Sequence, residues 1–498
     1  MPPSSLPPTH NLCQQVPFVP SPCRVTVPPM SVSGLEQFLN ALDNQATQSP
    51  TSISLIAPHL SQAARRSHPN HPPVGIWIPK PNQKCDKSSG LSIISRMDSV
   101  PLPGEAIPAA RLNDVLRKEL AGNTLDTNSN FLDRSLPCER LPFPIDEDTL
   151  KTLSTPIGGN DPIWNEARTS FSQPPKDFRE STICNWLNNI GMTMRLIYGH
   201  RCERLWWTGN CASGPPRIPA IWKPALVLID HSYYDRSSQK DFPGAEWAFV
   251  KALGEVQQSP HMWLTDTIAA KSYLTFLFQP HRRFTISLSF INTEKSQFAI
   301  TVTDRAGQIR ANKVDLIGFS TDNSLLLLSV LVFLMFGSSE DIGLDPHFEM
   351  DASGGRVIAI ECENRRFEVV QRIHALQPLY GQGTQVWIVT HNGRQCILKD
   401  SWVWEDCIHN EVAHLHRMKD HKDLDGRVPT MICGGDIVIN GVKDSTWCYR
   451  NARSFHRIHR RIVTSPVGES ITSFKSKKEF IRAMISIIES KSMYSWLE

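Results

Sequence analysis

The sequence of 498 residues predicts an α+β fold with more than one folded segment. Apolar residues alternate with polar ones from 284 to 290, a period typical of a β-strand. Residues 262–279, MWLTDTIAAKSYLTFLFQ, predict a strong helix. The apolar run Ser324–Phe336 is too short to cross a bilayer, so it predicts a buried core helix. Strands and helices of these kinds in one region indicate an α+β domain.

The first 105 residues are predicted to be a long disordered tail. Proline, serine, threonine, asparagine and glutamine dominate the segment 1–105, and charged residues are rare before Arg65. Such a segment buries too little apolar surface to offset its chain entropy. Within it, residues 33–45 predict a short amphipathic helix, interpreted as transient. Residues 106–179 predict a linker with short helices, including one at Ile107–Leu120.

Two folded regions follow. Residues 180–350 predict one α+β domain, which contains the strand, the strong helix and the core helix described above. Residues 355–498 predict a third unit that begins with strands. In that unit, residues 401–420 and 473–490 predict helices, and Trp402 and Trp404 are expected to brace the first of these.

Charge and cysteine content narrow the class of protein. The net charge is +3, too small to require a nucleic acid or a membrane as partner. The first ten residues lack the pattern of a secretory signal, and the twelve cysteines form no Cys-x-x-Cys pair. An intracellular protein with reduced thiols is expected. His200, Cys202 and Cys211 resemble a metal cluster, but a fourth ligand is not evident.

The chemistry-bearing motif is YGQGTQVWIVTHNGRQCILKDSW, residues 380–402. Gly381 and Gly383 would let backbone N–H groups approach phosphate oxygens closely. A predicted hairpin then leads to Lys399 in an apolar strand, and Glu411 follows in the next predicted helix. Glu405 is nearer in sequence but too close for a strand-to-helix pair. The alternative is an ordinary β-hairpin with a surface lysine.

Several segments in order resemble the fungal-type protein kinase family. CILKDSW, VPTMICGGDIV and RRIVTSPVGESITSFKSKKEF resemble its lysine strand, the strand after the glutamate helix, and its hinge with the following helix. Upstream, WKPALVLID, FQPHRRF, VTDRAGQI and GLDPHFEM resemble the segments before its kinase lobe. The resemblance covers roughly residues 180–490. It implies that residues 355–498 form a protein-kinase-like N-lobe and hinge.

The resemblance implies a Ser/Thr kinase that uses ATP and Mg²⁺. In a protein kinase, Gly381 and Gly383 would cover the phosphates, Lys399 would hold the α- and β-phosphates, and Glu411 would anchor Lys399. The His-Arg-Asp catalytic loop and the metal-binding Asp-Phe-Gly loop do not appear after Lys399. We therefore expect a catalytically incomplete chain without a C-lobe, and no catalytic residue is assigned. A protein partner would then cover the apolar underside of the lobe. The alternative is a non-catalytic interaction protein with a vestigial nucleotide-binding lobe.

Two further motifs have mainly structural interpretations. Residues 222–257 have the layout of a restriction-endonuclease-like core, but Ala225 and Gln257 stand where its aspartate and lysine are expected, and only Glu255 remains. A degenerate, structural version of that fold is more consistent with these residues than an active nuclease. The basic run Arg453–Arg461 predicts a solvated loop rather than an RNA contact, so binding of nucleic acid is not expected.

Overall fold

The computed structural model describes residues 109–494 with internal gaps, the longest being 128–139, 209–222, 238–244, 258–263, 420–427 and 447–455. The predicted tail of residues 1–105 and the helix at 33–45 lie outside the described residues. The described residues divide into two compact units, and the smaller one contains residues 474–484. In the smaller unit, the Phe474 and Phe480 rings lie 5.1 Å apart.

The described residues have the α+β fold that the sequence predicts. The helices are α1 (Ala109–Leu120), α2 (Glu147–Leu153), α3 (Glu180–Tyr198), α4 (His231–Ser237), α5 (Leu264–Phe278), α6 (Thr321–Phe336), α7 (Glu411–Lys419) and α8 (Lys477–Tyr494). Of the predicted helices, α1, α5, α6 and α8 are confirmed. No helix among the described residues combines the length and hydrophobicity needed to cross a bilayer.

The strands form two large sheets and two short hairpins. The first large sheet contains β1 (Thr124–Thr127), β4 (Arg204–Trp207), β5 (Leu226–Asp230), β6 (Ala252–Gln257), β7 (Phe284–Ile291), β8 (Gln297–Asp304), β9 (Gly307–Ala311) and β10 (Val314–Asp315), and the first hairpin pairs β2 (Trp164–Asn165) with β3 (Ser170–Phe171). The second large sheet contains β11 (Phe348–Met350), β12 (Val357–Cys362), β13 (Arg365–Ala375), β14 (Gln385–His391), β15 (Arg394–Trp404), β16 (Thr430–Asp436) and β19 (Arg457–Ser465), and the second hairpin pairs β17 (Val438–Ile439) with β18 (Val442–Lys443).

The first sheet has the strand order β1-β9-β8-β7-β6-β5-β4, with β10 beside β8. Strands β6 and β7 are parallel and are joined through α5, whereas β7 and β8 pair antiparallel, as the sequence predicts. Strand β7 is buried on both faces. Its apolar residues pack in the core that includes α3 and α6, and Thr285, Ser287 and Ser289 alternate with them on the other face. Small hydroxyl side chains allow α5 to approach that face closely.

The described residues of the segment 106–179 pack into two apolar cores: Leu116 and Leu120 of α1 join the cluster that contains α5, and the later residues join this first core. Side chains of α2 and of the β2–β3 hairpin belong to the same apolar cluster as α3 and α6. The Phe171 ring lies edge-on to both Trp164, at 5.6 Å, and Trp186 of α3, at 5.5 Å. The short helices that the sequence predicts here are therefore part of a folded core.

The second sheet has the order β11-β12-β13-β14-β15-β19-β16. Strand β15 forms antiparallel pairs with β14 on one side and β19 on the other, so it lies in the middle of the sheet. Helix α7 packs on one face through Leu415 and Met418, which contact Ile462 of β19. The first sheet with helices α1 to α6 is called the upstream domain below, and the second sheet with α7 is called the lobe.

Three predictions about the lobe are wrong in detail. The predicted helix at 401–420 begins only at Glu411, because β15 continues through Trp404. Trp402 stacks on His459 at 4.5 Å, and Trp404 lies beneath the Arg457 guanidinium at 3.9 Å, so neither braces that helix. The described part of the basic run, residues 456–461, is a central buried strand rather than a solvated loop. Its cationic side chains are buried because acidic partners surround them.

Candidate functional site

Lys399 and Glu411 form the ion pair that their positions in the sequence predict. Lys399 is on β15, and its Nζ atom lies 2.6 Å from Oε2 of Glu411, the first residue of α7. The Lys399 side chain is 34% exposed and that of Glu411 is 48% exposed, so a ligand can reach both. The pair joins the middle strand of the lobe to its helix, which is the arrangement that positions the phosphate-binding lysine in protein kinases.

The two glycines lie in the connection between β13 and β14. Gly381 has φ +137° and Gly383 has φ +51°, values at which a side chain would be strained. We call residues 378–384 the glycine loop. It precedes β14, which pairs with β15 so that Val386 lies opposite Lys399. The loop, the hairpin and the lysine strand therefore follow one another in space as in sequence.

An apolar surface beside Lys399 was missed by sequence reasoning. Ile397 lies two residues before Lys399 and so projects from the same face of β15. Ile388 is its partner across β14, and both side chains are only partly buried. The sequence contained the information needed to predict this surface, because the position of the turn in a short hairpin determines which residues pair across its two strands. In the kinase pattern Gly-x-Gly-x-x-Gly-x-Val, the third glycine is replaced here by Val386, and Ile388 holds the valine position.

The opposite face of β15 carries a buried charged network. Asp400 follows Lys399 in the strand and therefore points away from it. One of its oxygens accepts hydrogen bonds from Arg461 Nε at 2.9 Å and from His459 Nε2 at 3.0 Å. Burial disfavours the carboxylate of Asp400, but Arg461 and His459 outweigh that cost and hold its pKa below the ordinary value. Asp400 is thus an anion on the side away from the candidate site.

This network joins the lobe to the upstream domain. Arg283, at the start of β7, donates from Nη1 to Asp444 Oδ1 at 2.9 Å, and Asp444 Oδ2 lies 2.8 Å from His459 Nδ1. Burial lowers the pKa of His459, but the two flanking carboxylates raise it by a larger amount, so that the pKa is about 10. The imidazole is therefore held as a cation between Asp400 and Asp444.

The restriction-endonuclease-like position holds an ion pair instead of a metal site. Glu255 on β6 is buried, and its carboxylate accepts hydrogen bonds from Lys271 Nζ of α5 and from the Ala225 backbone. Burial raises the pKa of Glu255, and the attraction of Lys271 offsets part of that rise. Asp230 is the last residue of β5, whereas Ala225 precedes the first, and Asp230 pairs with Lys251 at 3.1 Å. With one carboxylate already neutralised by a lysine, these residues do not fit a catalytic Mg²⁺.

The cysteine and histidine cluster is also structural where it is described. Cys202 is buried, and its thiol donates to the Arg204 carbonyl oxygen at 3.0 Å. The His200 ring packs on Phe143 at 5.5 Å. Cys211 lies outside the described residues. Throughout the described part of the chain, no three His, Cys, Asp or Glu side chains converge as metal ligands would.

Comparison with known families agrees with this geometry. The fungal protein kinase family matches residues 223–457, a region that includes part of the upstream domain, the glycine loop, Lys399 and Glu411. No curated protein and no solved structure matches the chain. The match begins at Lys223, before β5, and ends at Arg457, the first residue of β19. Through this region the chain is similar to the fungal protein kinase family.

Proposed function

We propose that the lobe binds ATP on the face of β14 and β15 that carries Lys399. The observation that carries this proposal is the exposed ion pair between Lys399 and Glu411, at 2.6 Å. A lysine held by a carboxylate on a neighbouring helix presents its ammonium group in a fixed direction, as binding of the α- and β-phosphates requires. Glu411 would orient Lys399, and it would not touch the nucleotide.

The neighbouring residues fit the other parts of a nucleotide. Gly381 and Gly383 would let the loop backbone lie close over the phosphates. Ile388 and Ile397 offer a partly exposed apolar surface on which a base can pack. ATP would supply the phosphoryl group and would bring Mg²⁺ with it. The described residues supply no cluster of carboxylates for that ion, so we assign it no protein ligand.

The first prediction concerns nucleotide affinity. Lys399→Met is expected to weaken ATP binding at least about tenfold, which corresponds to ~1.4 kcal/mol, because it removes the cation that meets the phosphates. Isothermal titration of full-length wild type and variant measures the affinity. Lys443→Met is the matched control, since Lys443 is an exposed lysine on β18 that pairs with Asp436 at 3.1 Å rather than with Glu411. Equal affinities for wild type and Lys399→Met, or no ATP binding by wild type, would contradict the proposal.

A second prediction concerns phosphoryl transfer. Residues 1–498 on their own are expected to show no kinase turnover, because no His-Arg-Asp aspartate follows Lys399 to orient an acceptor hydroxyl. Autophosphorylation and phosphate release are measured with Mg²⁺ or Mn²⁺, and Lys399→Met serves as the blank. Turnover that disappears in Lys399→Met would show that another residue performs this role.

The alternative function is a non-catalytic interaction protein with a vestigial lobe. It predicts the same fold and the same Lys399–Glu411 ion pair, but no measurable affinity for ATP or ADP. The titration above separates the two, because only the nucleotide-binding proposal expects a difference between wild type and Lys399→Met.

A further inference from the structure

The glycine loop is bound by a turn of the upstream domain. Arg305 lies in the turn between β8 and β9, and its carbonyl oxygen accepts a hydrogen bond from the Gly381 N–H at 2.9 Å. Its guanidinium Nη1 donates to the Pro378 carbonyl oxygen at 2.8 Å. One residue from outside the lobe therefore contacts the loop backbone at two points.

Gly383 approaches the same arginine so closely that a side chain would not fit. A Cβ atom at Gly383 would lie 2.7 Å from Arg305 Nε and 2.9 Å from its Cζ. The guanidinium cannot retreat easily, because its other side lies 4.2 Å from the centre of the Phe276 ring in α5. Contact with Arg305 therefore requires a glycine at position 383 whether or not a phosphate binds there.

Glu119 of α1 provides a second anchor. Its Oε2 atom accepts hydrogen bonds from the Leu379 N–H at 2.8 Å and the Tyr380 N–H at 3.3 Å. Burial raises the pKa of Glu119, whereas these two hydrogen bonds and the attraction of Arg305 favour its carboxylate form. The start of the loop is thus fixed by a side chain that lies far from it in sequence.

The anchors leave the Lys399 side chain 34% exposed. Arg305 is attracted by Asp400, which points to the face of β15 opposite to Lys399. Within the lobe, the Trp402 N–H donates to the Gln382 carbonyl oxygen at 2.7 Å, which fixes the tip of the loop to β15. The face that carries Lys399 stays open, so the contacts set the position of the loop without closing the candidate site.

We propose that Arg305 is a positioning residue that holds the glycine loop in its binding conformation, so that the nucleotide affinity of the lobe depends on the upstream domain. The dependence of affinity rests on the proposed function, whereas the ordering of the loop does not. A loop already held in place loses less conformational entropy when a ligand binds, which strengthens binding without any new contact to the ligand.

Hydrogen exchange without nucleotide tests the ordering of the loop. In Arg305→Ala, the amides of residues 379–384 are expected to exchange about tenfold faster than in wild type, because opening of the loop becomes easier. The amides of β15 are expected to keep their wild-type rates. Arg356→Ala is the control, since Arg356 is exposed before β12. Unchanged loop exchange in Arg305→Ala would overturn the proposal.

Titration with ADP and with MgATP tests the effect on binding. Arg305→Ala is expected to bind about tenfold more weakly than wild type, with Arg305→Lys between them, because lysine keeps the charge but lacks the planar fork of donors. A looser loop with wild-type affinity would overturn the positioning role. If wild type binds neither nucleotide, the proposed function fails, and the exchange experiment still decides whether Arg305 orders the loop.

Two further pairs of variants keep the test decisive if Arg305→Ala does not fold. Glu119→Ala is expected to loosen the loop. Glu119→Gln is expected to keep the loop ordered, because the amide oxygen can still accept both hydrogen bonds. Gly383→Ala is expected to loosen the loop, whereas Gly393→Ala is the matched control. Gly393 also has a positive φ, +74°, but no atom lies within 4 Å of its Cβ position. Loop exchange at the wild-type rate in both Glu119→Ala and Gly383→Ala would overturn the proposal.

Discussion

Arg461→Met is expected to lower the free energy of unfolding by about 3–5 kcal/mol, because it leaves buried carboxylates without their cation. The Arg461 side chain is fully buried in β19. Its Nε donates to Asp400 at 2.9 Å, its Nη2 to Asp345 at 2.7 Å and its Nη1 to the Glu361 carbonyl oxygen at 2.7 Å. Since domains are commonly stable by only about 5–15 kcal/mol, much of the variant is expected to be unfolded or insoluble.

Urea denaturation of the full chain measures this effect. Arg366→Met is the matched control, because Arg366 also has two acidic partners, Glu349 at 2.8 Å and Glu368 at 3.0 Å, but on the surface. That variant is expected to lose little stability, because solvent screens exposed ion pairs. Asp345→Asn in the Arg461→Met background should recover part of the stability, since it removes one unpaired charge. Similar losses in the two arginine variants would show that the buried network contributes little.

Stability is expected to fall as pH rises above neutrality, because of His459. Its folded-state pKa is about 10, against an ordinary value of 6.5, and burial acts against this rise. The stabilisation is therefore complete below pH 6.5 and is lost between pH 6.5 and 10, where the unfolded chain releases a proton that the folded chain keeps. The slope in this window is at most ~1.4 kcal/mol per pH unit for one proton.

The charges around His459 set the direction of this dependence. Asp400 and Asp444 contact its ring nitrogens, Arg461 also donates to Asp400, and Arg283 also donates to Asp444. His459→Gln is expected to flatten the decline in urea midpoint between pH 6.5 and 10. His416→Gln, an exposed position on α7, is expected to keep it. The same decline in both variants would assign the pH dependence to other groups.

The local parts of the candidate site could be predicted from the sequence. Lys399 lies in an apolar strand after a hairpin, and Glu411 opens the next helix, so short-range pattern was enough to pair them. Helices α5 and α6 could also be predicted from the sequence, because their long apolar segments are stable as buried helices. The boundary at Trp404 was missed because aromatic residues suit a strand as well as a helix.

The basic run before the hinge shows where local pattern fails. Read alone, His456–Arg461 has the composition of a solvated surface, because isolated charges are rarely buried. In the fold it forms β19 between β15 and β16. Its partners Asp345, Asp400 and Asp444 come from three distant parts of the chain. No window of sequence contains both the cations and the anions that make their burial possible.

The sequence by itself determined the α+β class, the order of the segments and the placement of Lys399 and Glu411 on adjoining elements. Those features depend on periodicity and on contacts between neighbours along the chain. Only the tertiary structure decided that the upstream domain binds the glycine loop, because Glu119 and Arg305 reach residues 378–384 from far away in sequence. Packing between different segments also places Glu255, the residue at the nuclease-like position, beside buried Lys271, with which it forms an ion pair. Such contacts depend on which surfaces meet, and that is set by the burial of the whole core.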